Sequence, residues 1–232
     1  MQFRRHAIYH LPEGPLGDFG AAWLGWDARR GCAAPAPDLP GLPDDRAALV
    51  AQPARYGFHA TLKAPFRIAP AHGPEDLLRR AELVCDHLAP FELRLELSAE
   101  AGFLALRPDH QPPALVALEQ ALVTRLDDLR APLSSEERDR RGPDRLSDLA
   151  RQHLDHWGYP WVLGLFRYHL TLSGPVTPAQ AQAAAEWLGP CLAPLIAQPM
   201  PVRAVALMGE DEAGRFHCLA EIPLRAKASC AT

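Results

Sequence analysis

Apolar and polar residues alternate along the chain in short runs that are separated by turn residues. Period-two alternation or short apolar runs predict strands at 3–10, 55–66, 91–98, 103–108, 165–173, 201–208 and 215–223. Helical spacing predicts helices at about 14–30, 75–89 and 178–197, and a mostly helical stretch from 112 to 156. Gly31 follows the first helix, Gly73-Pro74 precede the second, and Thr177-Pro178 begin the last, as expected for helix ends.

The order of these elements predicts an α+β fold. Strands come in pairs suited to antiparallel pairing, and helices lie between the pairs. We expect one domain of two lobes over residues 1–232. A charged stretch at 134–157 predicts two short surface helices divided by Gly142-Pro143, and the proline-rich segment 32–53 predicts a loop that is a candidate flap.

A five-residue pattern occurs twice. Residues 58–62 read Phe-His-Ala-Thr-Leu and residues 168–172 read Tyr-His-Leu-Thr-Leu, so the histidines are 169 − 59 = 110 residues apart. Each copy is soon followed by a proline and then by a predicted helix. A repeat at half the chain length predicts two related lobes.

Strand geometry assigns the residues of both copies to faces. Side chains alternate with period two, so the aromatic and leucine positions face a core and the histidine and threonine positions share a polar face. The polar faces then carry His59, Thr61 and Lys63 in the first copy, and Arg167, His169, Thr171 and Ser173 in the second. If the lobes face each other, one cleft holds two imidazoles, two hydroxyls and positive charge.

This set of residues suits phosphate chemistry. A neutral imidazole can take a proton and a protonated one can give one near neutral pH. Threonine hydroxyls can donate to phosphate oxygens, while Lys63 and Arg167 can offset developing negative charge. A single His-x-Thr is more often a packing or surface feature, but two copies in matching contexts favour function. We interpret the other eight histidines as structural or surface residues.

Other site chemistries have little support in the sequence. There is no HExxH, and the five cysteines have no ligand spacing, so we expect no metal site and no cofactor. The net charge of -4 and a pI near 6.2 disfavour long nucleic acid and favour a small anionic substrate. No leader-like or membrane-spanning run occurs, and a cytoplasmic protein is the expectation.

Three longer blocks resemble a known family. The paired H-x-[ST] motifs are similar to the signature of the two-histidine (2H) phosphoesterases, which include LigT-like RNA cyclic phosphodiesterases. RYGFHATLKAPF at 55–66, WGYPWV at 157–162 and FRYHLTLSGPV at 166–176 resemble the branch found beside phosphonate-utilisation genes. The resemblance implies a bilobal fold with pseudo-twofold symmetry, a central cleft and metal-independent chemistry.

The resemblance also assigns roles to residues. It implies catalytic roles for His59, Thr61, His169 and Thr171. Contacts to the substrate are implied for Arg55, Tyr56, Lys63, Tyr159, Arg167 and Ser173.

Three functions remain open from the sequence. The first is hydrolysis of a small cyclic phosphodiester, with a ribosyl cyclic phosphate from phosphonate breakdown as one candidate. The second is a phosphodiesterase or ligase acting on RNA ends with 2′,3′-cyclic phosphates, which the acidic pI disfavours. The third is a non-catalytic binding protein for a phosphorylated metabolite, which would not require two titratable imidazoles. The acid, the base, the direction of ring opening and the oligomeric state stay undetermined.

Overall fold

The structure is a computed structural model that describes residues 2–38 and 45–226. Part of the predicted flap, residues 39–44, lies outside the described residues. The strands are β1 (Arg5–His10), β2 (Trp26–Asp27), β3 (Cys32–Ala33), β4 (Ala60–Phe66), β5 (Phe91–Leu93), β6 (Leu95–Ser98), β7 (Ala105–Pro108), β8 (Leu170–Thr171), β9 (Met200–Val202), β10 (Ala204–Glu210) and β11 (Phe216–Pro223). The α-helices are α1 (Gly14–Leu24), α2 (Arg46–Val50), α3 (Pro74–Cys85), α4 (Pro113–Arg125), α5 (Ser135–Asp139), α6 (Asp148–Trp157) and α7 (Pro178–Leu192).

The strands form two main antiparallel sheets. One has four strands in the order β11-β10-β1-β4, and the other has three in the order β6-β7-β8. Two short antiparallel pairs, β2–β3 and β5–β9, and an isolated bridge between Ile68 and Arg130 complete the pairing among the described residues. Antiparallel sheets combined with helices confirm the predicted α+β class.

One large apolar core joins the two sheets. It includes Ile8 of β1, Leu62 of β4 and Leu106 of β7, together with residues of α1, α3, α4 and α7. Alternation along β1 places Ala7 and Tyr9 on the other face, in a smaller cluster with Phe216. The four-stranded sheet is therefore covered on both faces, and its smaller cluster lies on the side where the cleft described below is found.

Several helix ends differ from prediction. The first helix ends at Leu24 rather than near residue 30, because Gly25 adopts a left-handed conformation with φ 80° and caps it. Residues 26–27 instead pair with 32–33. The last helix begins as predicted, with the Thr177 hydroxyl accepting from the Gln180 amide, but it ends at Leu192 rather than at 197. The helix α2, within the segment predicted as a loop, was not predicted.

Several strand predictions were right in place and wrong in length, whereas the last one, 215–223, agrees with β11 to within one residue. The predicted strand 91–98 is divided at Arg94 into β5 and β6, which pair with β9 and β7 respectively. The hairpin between 91–98 and 103–108 is confirmed as β6–β7. The predicted strands 55–66 and 165–173 shrink to Ala60–Phe66 and Leu170–Thr171. Both motif histidines therefore stand immediately before a strand rather than within one.

No helix among the described residues has the length and apolar character needed to cross a membrane.

Candidate active site

A cleft of about 410 Å³ lies between the four-stranded sheet and strand β8. Both motif histidines and both motif threonines line it. Three other residues predicted to contact the substrate, Tyr56, Tyr159 and Ser173, also line it. The structure thus brings together seven of the ten residues singled out from the sequence.

Each of the two histidine rings is held by a hydrogen bond between Nδ1 and the backbone carbonyl oxygen two residues before it. Nδ1 of His59 is 2.9 Å from the carbonyl oxygen of Gly57, and Nδ1 of His169 is 2.8 Å from that of Arg167. A carbonyl oxygen can only accept, so Nδ1 carries the proton in each ring. Each neutral imidazole therefore has the lone pair of Nε2 available for proton transfer.

The surroundings of His59 restrict its position and its charge. Its ring stacks on Tyr9 with centroids 3.8 Å apart, and its Nε2 is 3.2 Å from the Thr61 hydroxyl, which donates to it. Burial lowers the pKa of His59 to about 4, the Gly57 carbonyl opposes this, and His169 lowers it further. The charge of His169 therefore acts on His59 across the cleft.

The surroundings of His169 are different. The edge of its ring meets Phe103 with centroids 5.6 Å apart. Burial lowers the pKa of His169, the Arg167 carbonyl opposes this, and the cation of Arg107 lowers it further. Among the hydrogen bonds of the described residues, none joins His169 to Thr171, so the two halves of the cleft are not equivalent.

Lys63 does not line the cleft, and the face that alternation predicted for it is wrong. Its side chain is only 4% exposed, and its Nζ donates to the carbonyl oxygen of Val123 and to Asp127 at 2.9 and 3.2 Å. Alternation fails because β4 contains β-bulges against β1: Tyr9 pairs with Thr61, but the next β1 residue, Ile8, pairs with Lys63. Residue 63 is thereby turned to the opposite face from Thr61.

Two predicted cations are also absent from the cleft lining. Arg167 is exposed, and its Nη1 donates to the nearby carbonyl oxygens of Phe166 and Gly164. Its segment is irregular rather than a strand, so the period-two argument does not apply to it. Arg55 is exposed in a 3₁₀ turn, and its guanidinium lies against Gly214. Ser173 does line the cleft, although its hydroxyl accepts from Leu104 and donates to Gly174.

The cations that do line the cleft are Arg5 and Arg141. Arg5 donates through Nε and Nη2 to both carboxylate oxygens of Glu210, which leaves Nη1 outside that pair. Arg141 comes from the connection between α5 and α6 and stands over the Tyr159 ring at 4.9 Å. Sequence reasoning missed both, as it missed Tyr9.

Part of this signal was present in the sequence. Arg5 and Tyr9 share a face of the first strand by the same alternation that groups His59 with Thr61. However, no residue near the first strand indicates that it pairs with β4. The sequence around Arg141 likewise gives no sign that this charged surface segment reaches the cleft.

Among residues 2–38 and 45–226, no group of three or more His, Cys, Asp or Glu side chains is arranged to hold a metal ion. The cleft contains imidazoles, hydroxyls, phenols and guanidinium groups. This set can move protons and bind an anion.

Known proteins match this chain over long stretches. The family described as "Protein of unknown function (DUF1045)" matches residues 61–217. A protein named ribose 1,5-bisphosphate phosphokinase PhnN from Janthinobacterium sp. (strain Marseille) is 35% identical over 185 residues, which is 76% of this chain and 40% of that protein. The same name belongs to a protein of Laribacter hongkongensis (strain HLHK9), 35% identical over 221 residues, or 90% of this chain and 49% of that protein. The chain spans about half the length, or less, of these curated relatives.

Two solved structures align over nearly the whole chain. A structure described as a phosphoesterase covers 96% of this chain and 99% of its own, with 14% identity and a TM-score of 0.41. The structure of E. coli LigT complexed with NADP+ covers 97% and 100%, with 13% identity and a TM-score of 0.41.

Proposed function

We propose an activity for this chain, which belongs to the DUF1045 family of proteins of unknown function: it is a phosphoesterase of the 2H type that hydrolyses a small cyclic phosphodiester. The observation that carries the proposal is that one cleft holds two imidazoles, each with Nδ1 on a backbone carbonyl. The tautomer fixed in this way leaves each Nε2 able to exchange a proton with a substrate.

The proposed reaction needs two proton transfers. The Nε2 of one neutral histidine takes a proton from water as the water oxygen bonds to phosphorus. The bond from phosphorus to a ring oxygen breaks, and the Nε2 of the other, protonated histidine gives a proton to that oxygen. The product is a phosphate monoester with a free hydroxyl, and the pair returns to its starting state by exchanging one proton with solvent.

The remaining groups of the cleft would bind the phosphate. Thr171 can donate to its non-bridging oxygens, as can Thr61 once its hydroxyl turns from His59 Nε2 to the phosphate. Arg5 and Arg141 supply positive charge. Burial favours the neutral imidazole in the empty site, as the lowered pKa values of His59 and His169 indicate. The negative charge of a bound phosphate would raise these pKa values, so that one histidine can hold a proton when substrate is present.

A phosphorylated ribose is the substrate group that we propose. The curated relatives are named for ribose 1,5-bisphosphate, which supports a ribosyl phosphate without identifying it. A ribosyl cyclic phosphate formed in phosphonate breakdown is one such compound. The cleft is of the size usual for small-molecule sites, which span roughly 300–1,000 Å³.

The test is a turnover screen over nucleoside 2′,3′-cyclic phosphates, base-free ribose cyclic phosphates and short RNAs with cyclic ends. We expect His59→Ala and His169→Ala each to lower kcat/KM by about 10²-fold or more, the usual effect of a positioned acid or base. The double variant should lose much less than the product of the single losses, because the pair acts as a unit. His87→Ala is the matched control, since His87 is exposed and does not line the cleft.

Thr61→Val and Thr171→Val should have smaller effects, because each removes one hydrogen bond and leaves both imidazoles. A folded His169→Ala protein with near-normal turnover would refute the acid–base pair. Thermal melts on every variant separate loss of chemistry from loss of fold.

The proposal includes metal independence. The cleft supplies its own proton donors and acceptors, so we expect turnover to survive EDTA. Turnover abolished by EDTA and restored by one divalent metal would contradict this part of the proposal.

A further inference from the structure

A second cavity of about 640 Å³ opens beside the cleft. It shares five lining residues with the cleft: Thr61, Ala64, Phe103, Tyr159 and His169. We call this cavity the side chamber. Because His169 and Thr61 border both spaces, a molecule with its phosphate in the cleft can extend into the side chamber.

The side chamber has mostly apolar and aromatic walls. These walls include Pro108, Trp161, Val162, Leu165, Phe166 and Tyr168. Trp161 is 50% exposed, which is unusual for so large an apolar side chain and leaves its ring available to cover a ligand. Such walls suit a planar ring system.

Glu119 is the most deeply buried charged residue of a lining that also includes Glu100, Gln111 and Arg167. It is 1% exposed, its Oε1 accepts from the Leu163 amide at 3.0 Å, and its Oε2 has no hydrogen-bond partner among the described residues. Burial raises the pKa of Glu119 to about 7, against the opposing effects of the Leu163 amide and Lys63. Buried polar atoms are nearly always paired, so an unpaired carboxylate oxygen beside a cavity points to a ligand that donates to it.

The segment that is hydrogen-bonded to Glu119 has a strained backbone. Leu163 has φ 56°, and it is the only non-glycine residue with positive φ among those that the structure describes. Such a conformation costs energy for a leucine and is found more often at ligand-binding sites than elsewhere. The hydrogen bond from its amide to Glu119 holds this part of the wall in place.

Arg107 lies on the side chamber near His169. It stands over the Phe103 ring at 4.9 Å, and its charge lowers the pKa of His169. Its Nη2 donates to the Glu100 carbonyl oxygen, while its Nη1 is buried with no partner among the described residues. The chamber therefore has a cation on the side of His169 and an acceptor at Glu119.

We propose that the side chamber binds an aromatic heterocycle with an N–H donor, the chemistry of a nucleobase, and that Glu119 Oε2 accepts from that donor. Trp161 covers the ring, and Arg107 Nη1 contacts the anion that the ring is attached to. The assignment rests on the proposed function only in placing the phosphate in the cleft. It narrows the substrate to ribosyl cyclic phosphates that carry such a heterocycle.

The test is binding of nucleosides without phosphate, so it does not depend on turnover. Calorimetric titration at pH 8, above the pKa of Glu119, with adenosine, guanosine and cytidine, which carry N–H donors, is compared with purine riboside, which carries none on its base. We expect the three nucleosides with N–H donors to bind at least about tenfold more tightly than purine riboside, the usual effect of a hydrogen bond to a charged group.

Two variants separate the parts of the site. In Glu119→Gln the amide oxygen still accepts from Leu163 and the NH₂ group turns to the chamber, so the preference for adenosine over purine riboside should disappear. Trp161→Ala should weaken all four nucleosides alike, by about tenfold, because stacking does not depend on donors. Glu96→Gln, an exposed change of the same type on β6, should alter nothing.

Failure of this proposal and failure of the proposed function give different results. Hydrolysis of a base-free ribose cyclic phosphate, with no nucleoside binding below about 10 mM, would overturn the side chamber assignment and leave the phosphoesterase standing. An unchanged nucleoside preference in Glu119→Gln would overturn it as well. Nucleoside binding with the expected preference, without hydrolysis of any cyclic ester, would support the side chamber and refute the phosphoesterase.

Discussion

Two histidines with the same hydrogen bond at Nδ1 differ in what surrounds the rest of the ring. His59 stacks on Tyr9 and accepts a hydrogen bond from Thr61. The ring of His169 instead meets the edge of Phe103, and the charge of Arg107 lowers its pKa. Burial lowers both pKa values, and the effect is increased by His169 at His59 and by Arg107 at His169. Both rings are therefore neutral in the empty cleft at neutral pH. The acid in the proposed reaction must therefore gain its proton under the influence of the bound anion.

This leads to a prediction for the pH dependence of hydrolysis. The profile of kcat/KM reports the free protein, in which the pKa of His59 is about 4 and that of His169 is below its usual value of 6.5. We expect a bell with its optimum on the acid side of pH 6.5. The profile of kcat reports the complex, where phosphate favours the imidazolium, so its bell should lie at higher pH.

The measurement is a pair of pH profiles on the best substrate from the turnover screen, with the macroscopic pKa values assigned to the pair rather than to one ring. A kcat/KM optimum near pH 8 would contradict the low pKa values. Profiles of kcat and kcat/KM that coincide would contradict the influence of the phosphate.

The sequence could predict the four motif residues because each histidine and its threonine lie two positions apart on one short segment. That relation survives even where the strand is shorter than expected. The cations could not be predicted in the same way, because Arg5 and Arg141 reach the cleft through β1–β4 pairing and through the path of a surface connection. The hydrogen bonds from Nδ1 depend on backbone geometry outside the strands, which alternation does not describe.

Strand β4 shows where a periodic pattern stops being informative. A bulge places one extra residue of β4 between the pairs Tyr9–Thr61 and Ile8–Lys63. Leu62 and Lys63 therefore follow each other on one face of the strand. An extra residue of this kind leaves no mark in the hydrophobic pattern. The class of fold, the hairpin β6–β7 and the start of α7 were predictable because turn residues and helix caps are local signals.

The position of Lys63 gives a prediction about this element. Its Nζ bonds the Val123 carbonyl oxygen in the last turn of α4 and contacts Asp127, which also accepts twice from Arg130. We expect Lys63→Met to reduce the free energy of unfolding by about 1–3 kcal/mol, the usual cost of losing a buried hydrogen bond. Because the side chain lies on the face away from the cleft, kcat/KM should stay within about twofold.

Urea denaturation and hydrolysis assays on the same preparation check both parts. Thr61→Val is the matched comparison, since it lies two residues away and is expected to lower kcat/KM with little change in stability. A Lys63→Met protein of normal stability with a 10²-fold loss of kcat/KM would restore Lys63 to the site.

The whole molecule couples its two sheets through one core, and that core and the cleft bury several titratable groups. His10, 2% exposed, shares a 2.6 Å hydrogen bond between its Nδ1 and the Tyr168 hydroxyl, next to His169. Burial lowers the pKa of His10 to about 3. The pKa of Glu119 is shifted in the opposite direction. Protonation of Glu119 and protonation of the buried histidines therefore change the stability in opposite directions.

The last prediction is the pH dependence of stability between pH 6.5 and 5. His10 and His59 have pKa values of about 3 and 4 in the folded state and 6.5 when unfolded, so the unfolded chain binds more protons and stability falls as the pH falls from 6.5. Glu119 has a folded pKa of about 7 and an unfolded value of 4.5, so its contribution rises as the pH falls. These three groups leave a net loss on the order of 1–2 kcal/mol over this range. The lowered pKa values of His6 and His169 add to the loss with the same sign. Urea denaturation at pH 6.5, 6 and 5 measures the slope of the free energy of unfolding against pH. His10→Gln, which keeps a partner for Tyr168 but does not titrate, should flatten it, and Glu119→Gln should steepen it. Equal slopes in the wild type and both variants would show that these buried groups do not control acid stability.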